Sequence, residues 1–136
     1  MYLIDASIFL EVELEQEKHE ACEIFLKRLE KGDAKAVVSD FTLDSIAIVM
    51  EANGKSWSDI REFFISISML DGLSVYKVTH TDRIKATDHM EKFRLDFDDS
   101  VVLQSAFSNS IKEIVSLDKD FNNLKGIRRL EPKDAV

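Results

Sequence analysis

A chain of 136 residues, 45% hydrophobic and 32% charged, has the composition of a single globular domain, residues 1–136, and is too short for two of ordinary size. Its formal net charge of −8 excludes a domain that grips nucleic acid through broad positive potential, because phosphate affinity comes from Lys and Arg. One Cys, one Pro and four Gly exclude an intrachain disulfide, a spaced Cys/His zinc site and long irregular linkers.

The chain opens on Tyr2, Leu3 and Ile4, a short apolar run that ends abruptly in Asp5. That pattern predicts a strand buried on both faces, as in a parallel sheet covered by helices. A strand at the first residues leaves no room for a leader. No apolar run approaches the roughly 18 residues of a membrane span, so a cytoplasmic protein without a membrane partner is expected. Residues 8–14 read as a short helix, and residues 17–31 as a longer one with Ala21, Cys22, Phe25 and Leu29 at helical spacing. Cys22 is expected as a small buried hydrophobe, and Gly32 closes the helix. Residues 35–39 give a second buried strand. Ser39 or Asp40 then caps a largely internal helix to about Asn53, carrying Leu43, Ile46, Ala47, Val49 and Met50. Asn53-Gly54 is a turn, and Ser56 or Ser58 caps a helix with Trp57, Ile60, Phe64, Ile67 and Leu70 on one face.

Asp71-Gly72 breaks that helix, and residues 73–78 form a third strand with Leu73 and Val75 facing inward. Thr81 or Asp82 caps a helix to about Arg94 with Ala86, Met90 and Phe93 on one face. Asp96 or Asp98 starts another, strongly apolar through Val101, Val102, Leu103, Ala106 and Phe107. Residues 114–116 read as a fourth strand, 118–124 as a turn or short helix, and 127–130 as a fifth strand at an edge, ended by Pro132. Strands joined each to the next through helices require a mostly parallel sheet of four or five strands inside a three-layer α/β/α sandwich.

Asp5, Asp99 and Asp118 share a position: each ends an apolar strand or opens an apolar helix. The carboxyl edge of a parallel sheet, where ligands bind, collects acids in this way. Several carboxylates without a His/Cys set suit a hard cation such as Mg²⁺ or Mn²⁺. Two such ions can activate water and stabilise the leaving oxygen of a phosphodiester. Singly, each acid has a plainer reading as a helix cap, a charge on a helix dipole or a turn former.

The motifs resemble those of the PIN domains, including the VapC-type toxin ribonucleases, through most of the chain. Tyr-Leu-Ile-Asp-Ala-Ser at positions 2–7 is similar to the family's opening, with Asp5 as first acid and Ser7 as the hydroxyl two residues on. Leu95-Asp96-Phe97-Asp98-Asp99-Ser100 looks like the third motif, with Asp99 as the acid. Ile114-Val115-Ser116-Leu117-Asp118-Lys119-Asp120-Phe121 looks like the closing motif, with Ser116 beside the site, Asp118 as the fourth acid and Asp120 in support. In the second motif Val38, Ser39 and Thr42 match, but Ser45 stands where the family has Glu. Asp44, its neighbour, is taken as the replacement. Asp40 is a second candidate, and a three-acid or inactive site remains open.

The resemblance implies a metal-dependent endoribonuclease using Mg²⁺ or Mn²⁺ at Asp5, Asp99, Asp118 and Asp44. It also implies an RNA substrate, a small antitoxin partner and a homodimer. The alternative is a catalytically impaired PIN-like scaffold that binds RNA or protein. An aspartyl-nucleophile phosphatase at Asp5 is weaker, since Ser7 stands where its second Asp belongs. A receiver domain is weaker still, because no acidic pair follows the first strand. His19, His80 and His89 read as surface or capping residues. Trp57, Phe63 and Phe64 fit core or dimer packing better than base stacking. Residues 1–54 hold twelve acids against five Lys or Arg, whereas residues 117–133 hold five bases against three acids. Lys125, Arg128, Arg129 and Lys133 are therefore either a phosphate-holding rim or solvated surface.

Overall fold

The computed structural model describes residues 1–135. Five strands, β1 (Tyr2–Ile4), β2 (Ala36–Ser39), β3 (Leu73–Tyr76), β4 (Glu113–Val115) and β5 (Arg128–Leu130), alternate with six helices. The helices are α1 (Ala6–Glu13), α2 (His19–Glu30), α3 (Asp40–Ala52), α4 (Trp57–Ser68), α5 (His80–Phe93) and α6 (Phe97–Ser108). All pairings are parallel, in the order β3-β2-β1-β4-β5. The predicted α/β/α sandwich is the observed fold, with β5 at an edge as expected.

Adjacent strand residues point to opposite faces, so one strand feeds two cores. Ile4, Ala36, Val38 and Val115 join α1 to α4 through Ile8, Phe9, Phe25, Leu29, Ile46 and Phe63. Leu3, Val37 and Ile114 face the other way, against Val102, Leu103 and Ala106 of α6. Cys22 is fully buried and free, as predicted. The chain builds β1, β2 and β3 outward on one side, then returns to β4 on the other side of β1. The switch point of the sheet therefore lies between the carboxyl ends of β1 and β4.

Several local expectations change. The most enclosed helix is α6, buried at every position from Asp99 to Ala106, whereas α3 exposes Asp44 and Ile48. Helix α5 is capped by Thr79, whose hydroxyl accepts from Asp82 N, so Asp82 completes a capping box rather than starting the helix. On α4 the buried residues are Phe63 and Ile67, while Trp57 is 77% exposed. Phe63 takes the inward place because its ring meets Phe9 edge-on at 6.0 Å. Val75 is exposed because β3 is an edge strand with neither face fully covered. His89 is not a surface residue: it is half-buried, with Nε2 2.8 Å from Gln104 Oε1. Among the described residues, no helix is long and apolar enough to cross a membrane.

Candidate metal centre

Asp5 follows β1 and caps α1. Its backbone N–H continues the ladder to Val115 O at 3.1 Å, which fixes the residue against the end of β4. Ser116, the residue after β4, is fully buried, and its hydroxyl donates to Asp5 Oδ2 at 2.7 Å. Ser116 Oγ in turn accepts from Asp118 N at 2.9 Å. With the Ser116 proton committed to Asp5, the 3.3 Å contact between the two hydroxyls requires Ser7 to donate. Ser7 Oγ in turn accepts from Leu117 N at 3.0 Å. The two serines predicted to stand beside the site thus tie the first acid to the segment that carries the last.

Beyond Ser116 the chain makes a tight turn in which Asp118 Oδ1 accepts from Asp120 N at 2.9 Å. This places Asp118 and Asp120 on one side of a single turn. Asp99 arrives from α6: Asp96 caps that helix by accepting from Asp99 N at 2.9 Å, which sets Asp99 in the first turn. Among the described residues, Asp99, Asp118 and Asp120 each offer a carboxylate oxygen within 4.8 Å of the others.

Asp5 joins this group electrostatically. Burial, and then the charges of Asp96, Asp5, Asp118 and Asp120, push the Asp99 carboxyl up to about 8. Burial also raises Asp5, against the lowering effect of its bonds from Ser116, Ser7 and Ala6. Asp98 is raised by burial and by Asp96. All the neighbouring charges that act most strongly on Asp99 are negative. A set of hard carboxylate oxygens with unbalanced negative charge fits Mg²⁺ or Mn²⁺ by donor chemistry and by electrostatics.

Asp44 is not brought to this group. It is exposed, because the buried positions Thr42, Leu43, Ile46 and Met50 define a face of α3 roughly opposite to it at about 100° per residue. Asp40 is committed elsewhere: its Oδ1 accepts from Phe41 N at 2.8 Å and Val78 N at 3.0 Å. Asp120, expected only in support, is the carboxylate that stands with Asp99 and Asp118. The signal for it was the Asp-x-Asp spacing at a strand end. Of the basic residues, Arg128 pairs with Glu113, and Arg129 bonds Ser116 O and Asn122 Oδ1.

A parallel α/β/α sheet whose switch point gathers acids from the end of β1, from α6 and from the turn after β4, ranging from buried Asp5 and Asp99 to exposed Asp120, defines an acidic-edge domain suited to divalent cations. The chain belongs to the PIN domain family, whose sequence profile matches residues 2–127. Its fold is shared with solved structures at low identity. VapC20 of Mycobacterium tuberculosis, a sarcin–ricin loop cleaving toxin, superposes with a TM-score of 0.74 at 13% identity, over 94% of this chain and 99% of that one. A toxin–antitoxin complex from Klebsiella pneumoniae gives 0.70 at 12% identity, over 97% and 98%. VapBC2 of Rickettsia felis, bound to a DNA fragment from its promoter, gives 0.66 at 13%, over 96% and 97%. No curated protein matches the sequence significantly.

Proposed function

We propose that this protein is a divalent-metal-dependent endoribonuclease that hydrolyses RNA phosphodiester bonds in the cytoplasm, as the toxin of a toxin–antitoxin pair. The observation that carries the reading is the grouping of Asp99, Asp118 and Asp120 within 4.8 Å, linked to Asp5 through the Ser116 hydroxyl. PIN domains are generally nucleases that use divalent metals, and this chain is one of them. Asp5, Asp99 and Asp118 would hold Mg²⁺ or Mn²⁺, with Asp120 rather than Asp44 as the fourth carboxylate. The bound cation supplies Lewis acidity, activating water and stabilising charge on the leaving oxygen.

The chain's own contribution is preorganisation. Ser116 orients Asp5 and the Asp118 backbone from one buried oxygen. Asp96 holds Asp99 in the first turn of α6. Burial and the neighbouring acids favour the protonated form of Asp99, so a cation held there would take that proton's place.

An antitoxin partner is supported by the fold shared with two toxin–antitoxin assemblies. A homodimer completes the proposal, and sedimentation of the pure chain tests it. A second reading, a non-catalytic scaffold, is favoured by Ser45 at the usual Glu position. One experiment separates them: purified protein on fluorescent RNA with Mn²⁺, with EDTA, and as Asp99→Asn. Cleavage lost in both controls supports the nuclease. RNA retained but uncut supports the scaffold, and metal-dependent release from a phosphomonoester alone would point to a phosphatase.

A further inference from the structure

We propose that Arg129 is the positioning residue of this site, clamping residues 116–122 so that Asp118 and Asp120 stay beside Asp99. The inference rests on the metal-centre reading above and deepens it. Arg129 lies on the edge strand β5, two residues beyond the stretch matched by the family profile. Its Nη1 donates to the Ser116 carbonyl at 2.9 Å, and its Nε donates to Asn122 Oδ1 at 2.7 Å. The two acceptors bracket the turn that carries both acids. The backbone adds a third tie, since Ser116 N donates to Leu130 O at 3.0 Å. Both peptide groups of Ser116 are therefore anchored to β5, and Ser116 Oγ holds Asp5 and the Asp118 amide.

Such a clamp has a reason to exist. Acids within 4.8 Å of one another repel as they ionise, and the turn's internal bonds do not oppose that force. They run from Asp120 N to Asp118 Oδ1, from Phe121 N to Asp118 O and from Asn122 N to Lys119 O, and all three move with the turn. The buried Phe121 ring anchors the turn's end in the core, and hydrogen bonds from outside the turn are needed to fix how its polar backbone sits against the sheet. A guanidinium suits the task because its planar fork fixes two acceptors at once, whereas a Lys ammonium is a flexible point charge. Both bonds from Arg129 go to neutral oxygens, so its geometry rather than an ion pair does the holding. Its neighbour Arg128 pairs instead with Glu113 across the sheet edge.

The test uses the full chain as Arg129→Lys, Arg129→Met and Asn122→Ala, with Mn²⁺ binding by calorimetry, amide hydrogen exchange and RNA kinetics. Loss of a group that orients a ligand is expected to weaken Mn²⁺ binding about tenfold in both Arg129 variants, and less in Asn122→Ala. Exchange at the Asp118 and Asp120 amides should quicken while β1 stays protected. Cleavage should lose kcat with the RNA KM unchanged. A phosphate-contact role gives the opposite split, with Lys near wild type, Met raising KM and Mn²⁺ affinity unaltered; that result overturns the proposal. Wild-type protein that binds Mn²⁺ yet cuts no RNA removes the nuclease reading and leaves the clamp supported by affinity and exchange. Wild-type protein that binds no Mn²⁺ removes the metal reading, and unchanged exchange in Arg129→Met would then remove the clamp as well.

Discussion

Asp99 is one of two buried site acids whose ionisation the fold opposes. A carboxyl raised to about 8 by burial and by four neighbouring acids holds a proton in the folded chain that it has lost in the unfolded one, where its pKa is about 3.9. The folded state therefore binds more protons between about pH 4 and pH 8, and metal-free stability falls as pH rises through that window. Asp99→Asn removes the repulsion. In EDTA at pH 8 it should raise stability on the order of 1–3 kcal/mol, read as a higher melting temperature, while abolishing RNA cleavage. A wild-type protein as stable as the variant at pH 8 would contradict the assignment. The two candidates for the fourth acid separate in the same assay. Asp120→Asn should lower Mn²⁺ affinity, whereas Asp44→Asn, on an exposed position, should leave affinity and cleavage near wild type.

The elements that frame the site are held by a buried network that periodicity does not reveal. Asp82 on α5 accepts from Ser108 Oγ on α6 at 2.6 Å, from Thr79 N at 3.0 Å and from the Tyr76 hydroxyl of β3. Burial opposes its ionisation, but these donors prevail and hold its pKa below the usual carboxylate value. A depressed carboxyl contributes stability above its unfolded pKa and loses it as pH falls through the folded value. Asp82→Ala, which strands three donors, should cost about 2–4 kcal/mol at pH 7, and the gap to wild type should narrow toward pH 2. The turn between α4 and β3 is equally constrained. A Cβ on Gly72 would lie 2.0 Å from the Ala34 carbonyl oxygen, so Gly72→Ala should cost about 1–3 kcal/mol, read by chemical denaturation.

At the scale of the whole molecule, the centre of the sheet was legible because β1, β2 and β4 are short, mainly apolar runs closed by a polar residue. The placing of Asp5, Asp99 and Asp118 at the sheet's carboxyl edge was legible for the same reason. What stands in for the family's second acid was not. Near Ser45 the sequence offers Asp44 one residue away and Asp40 five, and only tertiary contacts show Asp40 bonded to Val78 N and Asp44 exposed. Helix faces were legible where one stripe is apolar, and failed on α4, where adjacent Phe63 and Phe64 satisfy the same period. The Asp82 network and the Arg129 clamp left no pattern because their partners are far apart in the chain or chemically ordinary.

Net charge decides how such a molecule meets RNA. At −8, with Asp5, Asp96, Asp118 and Asp120 all acting on Asp99 at the site, the chain repels a phosphate backbone until cations are bound. Of the basic side chains near the C-terminus, Arg128 is paired with Glu113, and the others leave the net charge at −8. Retention of RNA on a filter should therefore be negligible in EDTA even at low salt, where phosphate contacts are strongest. It should appear with Mn²⁺, using Asp5→Asn to slow cleavage while the other acids still bind. The same metal at 100 times its Kd should stabilise the wild-type fold by about 2.7 kcal/mol, and EDTA should reverse it. RNA held equally well with and without metal would mean that recognition lies on a surface other than the acidic edge.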